Sequence, residues 1–299
     1  MDIGGATSIT YTLVTADVGT VISVRQTETN VAGSANATSA DTATIAAAFT
    51  PANVFASSEK GLWGAVTASK LWQDVARTTA VTADGQTVAS WELNTASGVI
   101  YAEQATAGSR PTYRESGGVE WLEFDGTTDF LSTPGVTTDA SYQVFARVRP
   151  ATVTGVRSII DSHQTSPLPA GVRSQYLRIN GANPQTISFN AAGLGATTDT
   201  GPAVTISTDV TLAAIAISGT SLDLRTDGAS NGVTSNANAL NNPTVPVTFG
   251  RNGASGTGDG GQAYFSGRLY GAIVRLAATN LTSGEIADCT TWTDNLSNP

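Results

Sequence analysis

Nowhere in this chain do apolar residues keep a helical spacing for long. They come in short runs, nearly all ended within about ten residues, the usual ceiling for a strand, by Gly, Asn, Asp or Pro. After Gly61 such runs lie near 88–92, 119–124, 142–149, 156–160, 175–179, 186–189, 211–217, 221–225, 245–249 and 263–276. Runs of this length, rich in β-branched and aromatic residues and bounded by turn formers, read as strands. No strand–helix–strand rhythm separates them, so the pattern predicts an antiparallel all-β sandwich. Thr211 to Ile217, TLAAIAI, is nearly all apolar, as expected of a central strand. The 31 Gly and 11 Pro supply turns, and 13% charged residues are too few for long solvated helices.

The first 45 residues differ from the rest. Ile9, Tyr11 and Leu13 share one parity, as do Ile22 and Val24, around Ala16-Asp17-Val18-Gly19. This period of two predicts antiparallel strands, with Asn30-Val31-Ala32-Gly33 as a hairpin turn. Residues 46–60, AAAFTPANVFASSEK, break the pattern and read as a linker. The division expected is therefore 1–45, a linker over 46–60, and a large β domain over 61–299. One helix is signalled, by Thr282-Ser283-Gly284-Glu285, which fits a capping box. Ile286, Cys289 and Trp292 would follow on its inner face, with Cys289 as a small core residue.

Charge and residue inventory exclude several functions. The net charge is −9, and Lys60 and Lys70 are the only lysines. A polyanion-binding surface needs clustered basic residues, so neither nucleic acid nor an anionic membrane is an expected partner. Cys289 is the only cysteine and His163 the only histidine. That leaves no intrachain disulfide and no Cys- or His-based metal cluster. The chain starts without a basic and apolar leader and has no apolar run of about 18 residues. It is expected to be a soluble protein made in a cytoplasm.

Candidate chemistry is sparse. In Val119-Glu120-Trp121-Leu122-Glu123-Phe124-Asp125, strand alternation puts Glu120 and Glu123 on opposite faces. Glu123 and Asp125 share a face with Trp121, about 6.5–7 Å apart along the strand. That separation is near those of glycosidase carboxylates, but a solvated face or a glycan contact is the plainer reading. Asp125-Gly126-Thr127-Thr128-Asp129 is a tight acidic turn, read either as a plain Asp-Gly turn or as a calcium loop. Gly250 to Gly261 is Gly-rich but has no Gly-Lys-Ser/Thr ending and no following helix, so it is a surface loop rather than a phosphate cradle. His163 lies in a loop without a nucleophile motif beside it. No cofactor is expected apart from calcium at the acidic turn.

Two stretches resemble known proteins. IGGATSITYTLVTADVGTVISVRQTETNVAG is similar to the C-terminal half of an immunoglobulin-like module common in phage and bacterial surface proteins. Val21 stands where such modules often have Tyr, and Ser23 where antibody domains have Cys. About 40 residues cannot supply the seven strands of that sandwich. From Val54 onward, GLW, LWQDVARTTAVTADGQTVASW, ATAGSRPTY and EFDGTTDFL follow one another as in phage and prophage virion proteins. Phe265-Ser266-Gly267-Arg268-Leu269-Tyr270-Gly271 and Leu281-Thr282 with Glu285-Ile286 match the closing strand and short helix of that group. Those proteins carry a laminin-G-like, concanavalin A-like jelly roll. Where they often read DKSGNGNHA after the Trp, Trp91 is followed here by ELNTASGVIYA. The Glu-x-Asp-x-x-Glu strand of glucanases with this fold is absent, so the resemblance does not imply hydrolysis.

The resemblance implies a bacteriophage virion structural protein, as head decoration, head fibre or tail-associated protein, and not an enzyme. Residues 1–45 would be the attachment element, burying Ile9, Tyr11, Leu13, Ile22 and Val24 against capsid or tail proteins or a sister copy in a homo-oligomer. The alternative is a glycan-binding adhesin for a host surface polysaccharide. Its candidate contacts are Trp121, Asp125, Asp129, Arg251, Asn252 and Asp259.

Overall fold

A computed structural model describes residues 10–55, 59–137, 141–162, 173–180, 183–190, 197–200, 205, 207–218, 221–235, 244–252, 263–277 and 279–298. The chain divides into two units, Met1–Phe49 and Thr50–Pro299.

In the first unit, β1 (Arg25–Asn30) and β2 (Gly33–Thr38) form an antiparallel hairpin in which Asn30 lies opposite Gly33. The Asn30 side chain accepts the Ala32 amide at 2.8 Å, which closes the expected turn. Neither strand carries a large apolar residue, and both are exposed along their length. Cross-strand hydrogen bonds, Thr27 to Asn36 and Thr29 with Ser34, take the place of an apolar face. Beyond the hairpin the amides of Ser39, Thr42 and Ile45 reach the carbonyls of Val24, Ile22 and Thr20, three residues stepping against two. The hydroxyls of Ser39 and Thr42 accept the Val24 and Ile22 amides that a regular ladder would pair with carbonyls. The strand expected over Ile9 to Leu13 is not present from Thr10 to Val14. Asp17 instead captures the Tyr11 hydroxyl at 2.9 Å and the Val14 amide at 2.7 Å beside a 3-10 turn, Thr15–Asp17.

The second unit is the expected all-β jelly-roll sandwich. Its strands are β3 (Lys60–Ala65), β4 (Leu71–Trp72), β5 (Ser90–Thr95), β6 (Gly98–Glu103), β7 (Thr112–Ser116), β8 (Val119–Asp125) and β9 (Leu131–Ser132). There follow β10 (Val136–Thr137), β11 (Ser141–Pro150), β12 (Val156–Ser162), β13 (Arg173–Asn180), β14 (Asn183–Asn190) and β15 (Thr197–Thr200). The last are β16 (Val210–Ser218), β17 (Ser221–Thr226), β18 (Ala229–Ser235), β19 (Thr244–Val245), β20 (Val247–Phe249) and β21 (Ser266–Ala277).

Strand β21 organises one layer. One edge pairs with β11 along its length, and the other with β8 and then β3. β16, β17 and β18 continue beyond β11, and β7 beyond β8. The other layer runs β4-β5-β6-β9-β20-β12-β13-β14-β15, antiparallel throughout. Alternate residues of both layers meet in one core that holds Leu62, Trp91, Leu93, Phe124, Val144, Leu212, Phe249 and Val274. Trp91 and Phe249 pack with ring centroids 5.1 Å apart. Gly250 must be glycine: its φ is +86°, and a Cβ there would lie 2.3 Å from the Phe124 ring.

The segment read as a linker belongs to this unit from Thr50 onward. Val54 and Phe55 are buried, and Phe55 stacks on Trp63 at 4.5 Å. Arg275, buried in β21, donates to the Val54 carbonyl, the Glu59 carboxylate, Gln143 and the Thr279 carbonyl. Its planar fork of donors serves four acceptors, which is what lets a guanidinium sit inside a sheet interface.

The signalled helix is α1 (Ser283–Asp294), with Thr282 and Glu285 closing a reciprocal capping box. Its inner face holds Ile286, Cys289, Thr290 and Thr293, and Trp292 is only half-buried. Burial pushes the Cys289 thiol up to about 12. This helix packs on β11, β16 and β21, so it covers the outer face of the first layer. Among the described residues no helix lies on the second.

Candidate functional site

The outer face of that second layer is built by strand alternation, partly open at Trp72, Glu92, Tyr101, Glu103 and Ser132 and buried at Ser90, Thr248 and Asp161. Leu71, Trp91, Leu93, Ala102, Leu131, Ile160 and Phe249 turn into the core. Their neighbours Trp72, Ser90, Glu92, Tyr101, Glu103, Ser132, Thr248 and Asp161 therefore turn outward. Register places six of them in one row across adjacent strands: Trp72 opposite Ser90, Ser90 opposite Glu103, Glu103 opposite Ser132, Ser132 opposite Thr248, and Thr248 opposite Asp161.

At the β4 end of the row two aromatic rings are half-exposed. Trp72 and Tyr101 meet edge to face, with centroids 5.8 Å apart and planes at 74°. The Arg77 guanidinium lies 4.1 Å over Tyr101 and 2.5 Å from Glu103. Lys70 reaches Glu92 at 2.6 Å, and the Tyr101 hydroxyl points to the other Glu92 oxygen at 3.5 Å. Two cations and two carboxylates thus cancel inside the site. Further along, the Ser132 and Thr248 hydroxyls bond at 3.0 Å.

The loop that carries Arg77 is held rigidly. The Asp74 carboxylate accepts the Thr78 and Thr79 amides, and the Thr78 amide above all holds its pKa below the ordinary carboxylate value. Gln73 and Thr79 pair at 2.8 Å. Arg77 sits at φ 60°, a left-handed conformation that costs a residue with a Cβ roughly 1–2 kcal/mol. Arg110 fixes the loop to the end of β6 by donating to the carbonyls of Gln73, Gln104 and Ala105.

The contacts expected from sequence lie elsewhere. Trp121 is 5% exposed, packed on Tyr270 and covered by Arg268, and its indole donates to Glu123 at 2.8 Å, so its ring has no open face to offer. The Asp125 carboxylate accepts the amides of Thr127, Thr128 and Asp129 within its own turn. The Thr127 and Thr128 hydroxyls donate to its other oxygen. Burial opposes the charge, but the Thr127 hydroxyl and these amides outweigh it and hold the pKa well below the usual range, and both oxygens are already engaged. Asp129 is buried and accepts the Asp125 amide; burial, with the nearby Asp125 charge, lifts its carboxyl to about 7. Among the described residues no group of three or more His, Cys, Asp or Glu is placed to hold a metal. Arg251 stacks 3.4 Å over Phe130, and Asn252 is buried with its side chain on the Ala263 amide. The turn and these two residues do gather at one end of the sandwich, as structural braces. Asp259 and His163 lie outside the described residues.

Of the attachment set, Ile9 lies outside the described residues. Tyr11, Leu13 and Val24 are 39%, 52% and 69% exposed, and Ile22 is half-buried. What sequence reasoning missed is β6, which carries Tyr101 and Glu103 and folds back on the strand expected near 88–92. Its signal is present: WELNT and GVIYAE alternate around Ala96-Ser97, the loop closed by Thr95 opposite Gly98.

No family model and no curated protein matches the chain. Solved structures do. One is domain 4 of AbnA, an extracellular GH43 arabinanase from Geobacillus stearothermophilus, in complex with arabinotriose: 14% identity, 66% of this chain and 83% of that one, TM-score 0.47. Another is the CBM40 of the Ruminococcus gnavus IT-sialidase bound to α2,3-sialyllactose: 17% identity, 56% of this chain and 96% of that one, TM-score 0.41. A third is the Trypanosoma rangeli sialidase: 13% identity, 73% of this chain and 33% of that one, TM-score 0.47. Likenesses this remote carry no argument about function.

Proposed function

We propose that the jelly-roll unit binds glycans, through the outer face of the β4–β6 sheet. The observation that carries this reading is the half-exposed Trp72–Tyr101 pair flanked by the Lys70–Glu92 and Arg77–Glu103 ion pairs. A sugar ring has one face of C–H groups and a rim of hydroxyls. Aromatic surface shelters the first. Charged groups already paired with one another can bond the second without first giving up a strongly bound counterpart. Glu92 and Glu103 are each held by a cation, Lys70 and Arg77, and the role proposed for the cluster is recognition. The test is a glycan array probed with the full chain. Trp72→Ala and Tyr101→Ala should each lose the signal that the parent protein gives. Unchanged signals in both variants would refute this site.

A second reading, that the chain is a structural component of a phage particle, draws support from the first unit. Tyr11, Leu13, Val14, Val18, Val21 and Val24 are exposed on the segment that leads into the hairpin, in a unit too small to bury them, and an isolated two-stranded unit is marginal in water. Strand addition to a capsid or tail protein, or to a sister copy, would cover them. Deleting residues 1–45 should then abolish incorporation into particles. Incorporation at the parent level would remove this reading.

A further inference from the structure

The outward row continues past the aromatic pair. Trp72, Ser90, Glu103 and Ser132 stand in register on four neighbouring strands, and at about 4.8 Å per strand the row from Trp72 to Ser132 spans about 14 Å. Trp72, Glu103 and Ser132 present groups suited to a sugar, and Ser90 lies buried beneath them. Trp72 gives ring surface. Ser90 gives a fully buried hydroxyl that finds no hydrogen-bond partner among the described residues. Glu103 engages one carboxylate oxygen with Arg77, and Ser132 shares a single bond with Thr248. A buried hydroxyl without a partner is the exception in folded proteins, and here it sits within the row, between Trp72 and Glu103. The four charges at the Trp72 end form two close pairs, 2.6 and 2.5 Å, so these four groups together offer no net field to an anion.

Resting on the glycan reading above, we infer that the ligand is a neutral, extended glycan that crosses the strands from Trp72 to Ser132, and that Ser132 marks a subsite of its own. Neighbouring strands lie about 4.8 Å apart, so an extended glycan laid across them meets one strand after another. A single terminal sugar would use the aromatic end alone. An acidic glycan would need an unpaired cation there, and both Lys70 and Arg77 are engaged.

The experiment is titration calorimetry on the full chain with linear cello-, malto- and manno-oligosaccharides of two to six units, and with oligogalacturonates as the acidic series. In the neutral series that binds, affinity should rise at least tenfold from the disaccharide to the tetrasaccharide and then level off. It should be unchanged between 0.05 and 0.5 M NaCl, as expected when no net charge is neutralised. Ser132→Ala, and Ser132→Val as a bulkier block, should weaken the tetrasaccharide about three- to tenfold and leave the disaccharide unchanged, a loss of the size of one hydrogen bond. Trp72→Ala should abolish both. A disaccharide that binds as tightly as the tetrasaccharide overturns the extended site. So does a tetrasaccharide indifferent to both Ser132 variants, or tighter, salt-sensitive binding of the oligogalacturonates. Those outcomes leave the aromatic site standing if Trp72→Ala still abolishes binding. Binding that survives Trp72→Ala, or no binding in any series, removes both.

Discussion

Two places in the jelly roll carry the same local pattern. In β8, Trp121 and Glu123 share a face, and Arg268 lies 4.1 Å over the indole. In β6, Tyr101 and Glu103 share a face, and Arg77 lies 4.1 Å over the phenol ring. Each is an aromatic residue, a Glu two positions on, and an Arg contributed by another segment. Their environments are opposite. Trp121 belongs to the layer that carries α1 and is sealed by Tyr270 and Arg268. Tyr101 belongs to the layer whose outer face no described helix covers, and it is left half-exposed beside Trp72. An aromatic–Glu–Arg cluster is therefore sealed or left partly open according to what lies above its sheet, a property of the tertiary fold and not of the motif.

Truncating the two tryptophans gives the sharpest contrast. Trp121→Ala removes a buried indole and should cost about 3–5 kcal/mol of unfolding free energy. Trp72→Ala removes a half-exposed ring and should cost about 1 kcal/mol, near the average for point substitutions. Urea denaturation of both variants measures the difference. Equal losses would mean that Trp72 is a core residue and the open face is closed.

The acidic turns beside the two places differ in the same sense. Asp129, in the turn after β8, has its carboxyl lifted to about 7, so the folded chain holds a proton there that the unfolded chain releases near pH 4. Stability should fall as pH rises from about 4 to 7, because the unfolded state binds fewer protons in that window. Asp129→Asn, which keeps an acceptor for the Asp125 amide, should flatten that slope. Asp74, in the open loop, is shifted downward, so its contribution is lost only as pH falls through the acid range. Asp74→Asn should leave the slope between pH 4 and 7 untouched. Denaturant midpoints across pH decide both.

Much of the architecture was legible because period-two runs and turn formers are local. The ten expected runs after Gly61 all fall on strands, and Leu122 and Phe124 face the core as the alternation of VEWLEFD requires. Thr282 and Glu285 marked the helix start because a capping box is complete within four residues. The site was not legible in this way. The composition of Glu120 to Asp129 drew attention to residues that turn out to be structural, since a half-buried turn and an exposed one use the same Asp and Thr chemistry. Trp72 lies in a two-residue strand and Tyr101 in a strand preceded by the inconspicuous turn Ala96-Ser97. They become neighbours only through the pairing of β4, β5 and β6. In the first unit, the apolar alternation of Tyr11 and Leu13 predicted strands, but the hydrogen bonds go instead to Asp17, Ser39 and Thr42, whose side chains substitute for ladder carbonyls.

The smallest effect, and the finest test of the comparison, lies in the two arginines. Arg268 extends across Trp121 and lies 3.7 Å from Glu123, so most of its value is the apolar stem that roofs the indole. Arg268→Ala should destabilise by about 1–2 kcal/mol, the scale of losing such packing. Arg77 stands at φ 60° in an exposed loop. Replacing it with Gly relieves about 1 kcal/mol of left-handed strain. It also loses a solvent-screened ion pair with Glu103, about 0.2–1 kcal/mol, and adds about 0.5–1 kcal/mol of unfolded-state entropy. These terms offset one another, so Arg77→Gly should leave stability within about 1 kcal/mol of the parent. Its effect should appear in binding, because the guanidinium that orders Tyr101 and Glu103 is gone. A variant that unfolds as Arg268→Ala does, with binding per folded molecule intact, would make Arg77 a brace like its counterpart and erase the distinction between the two faces.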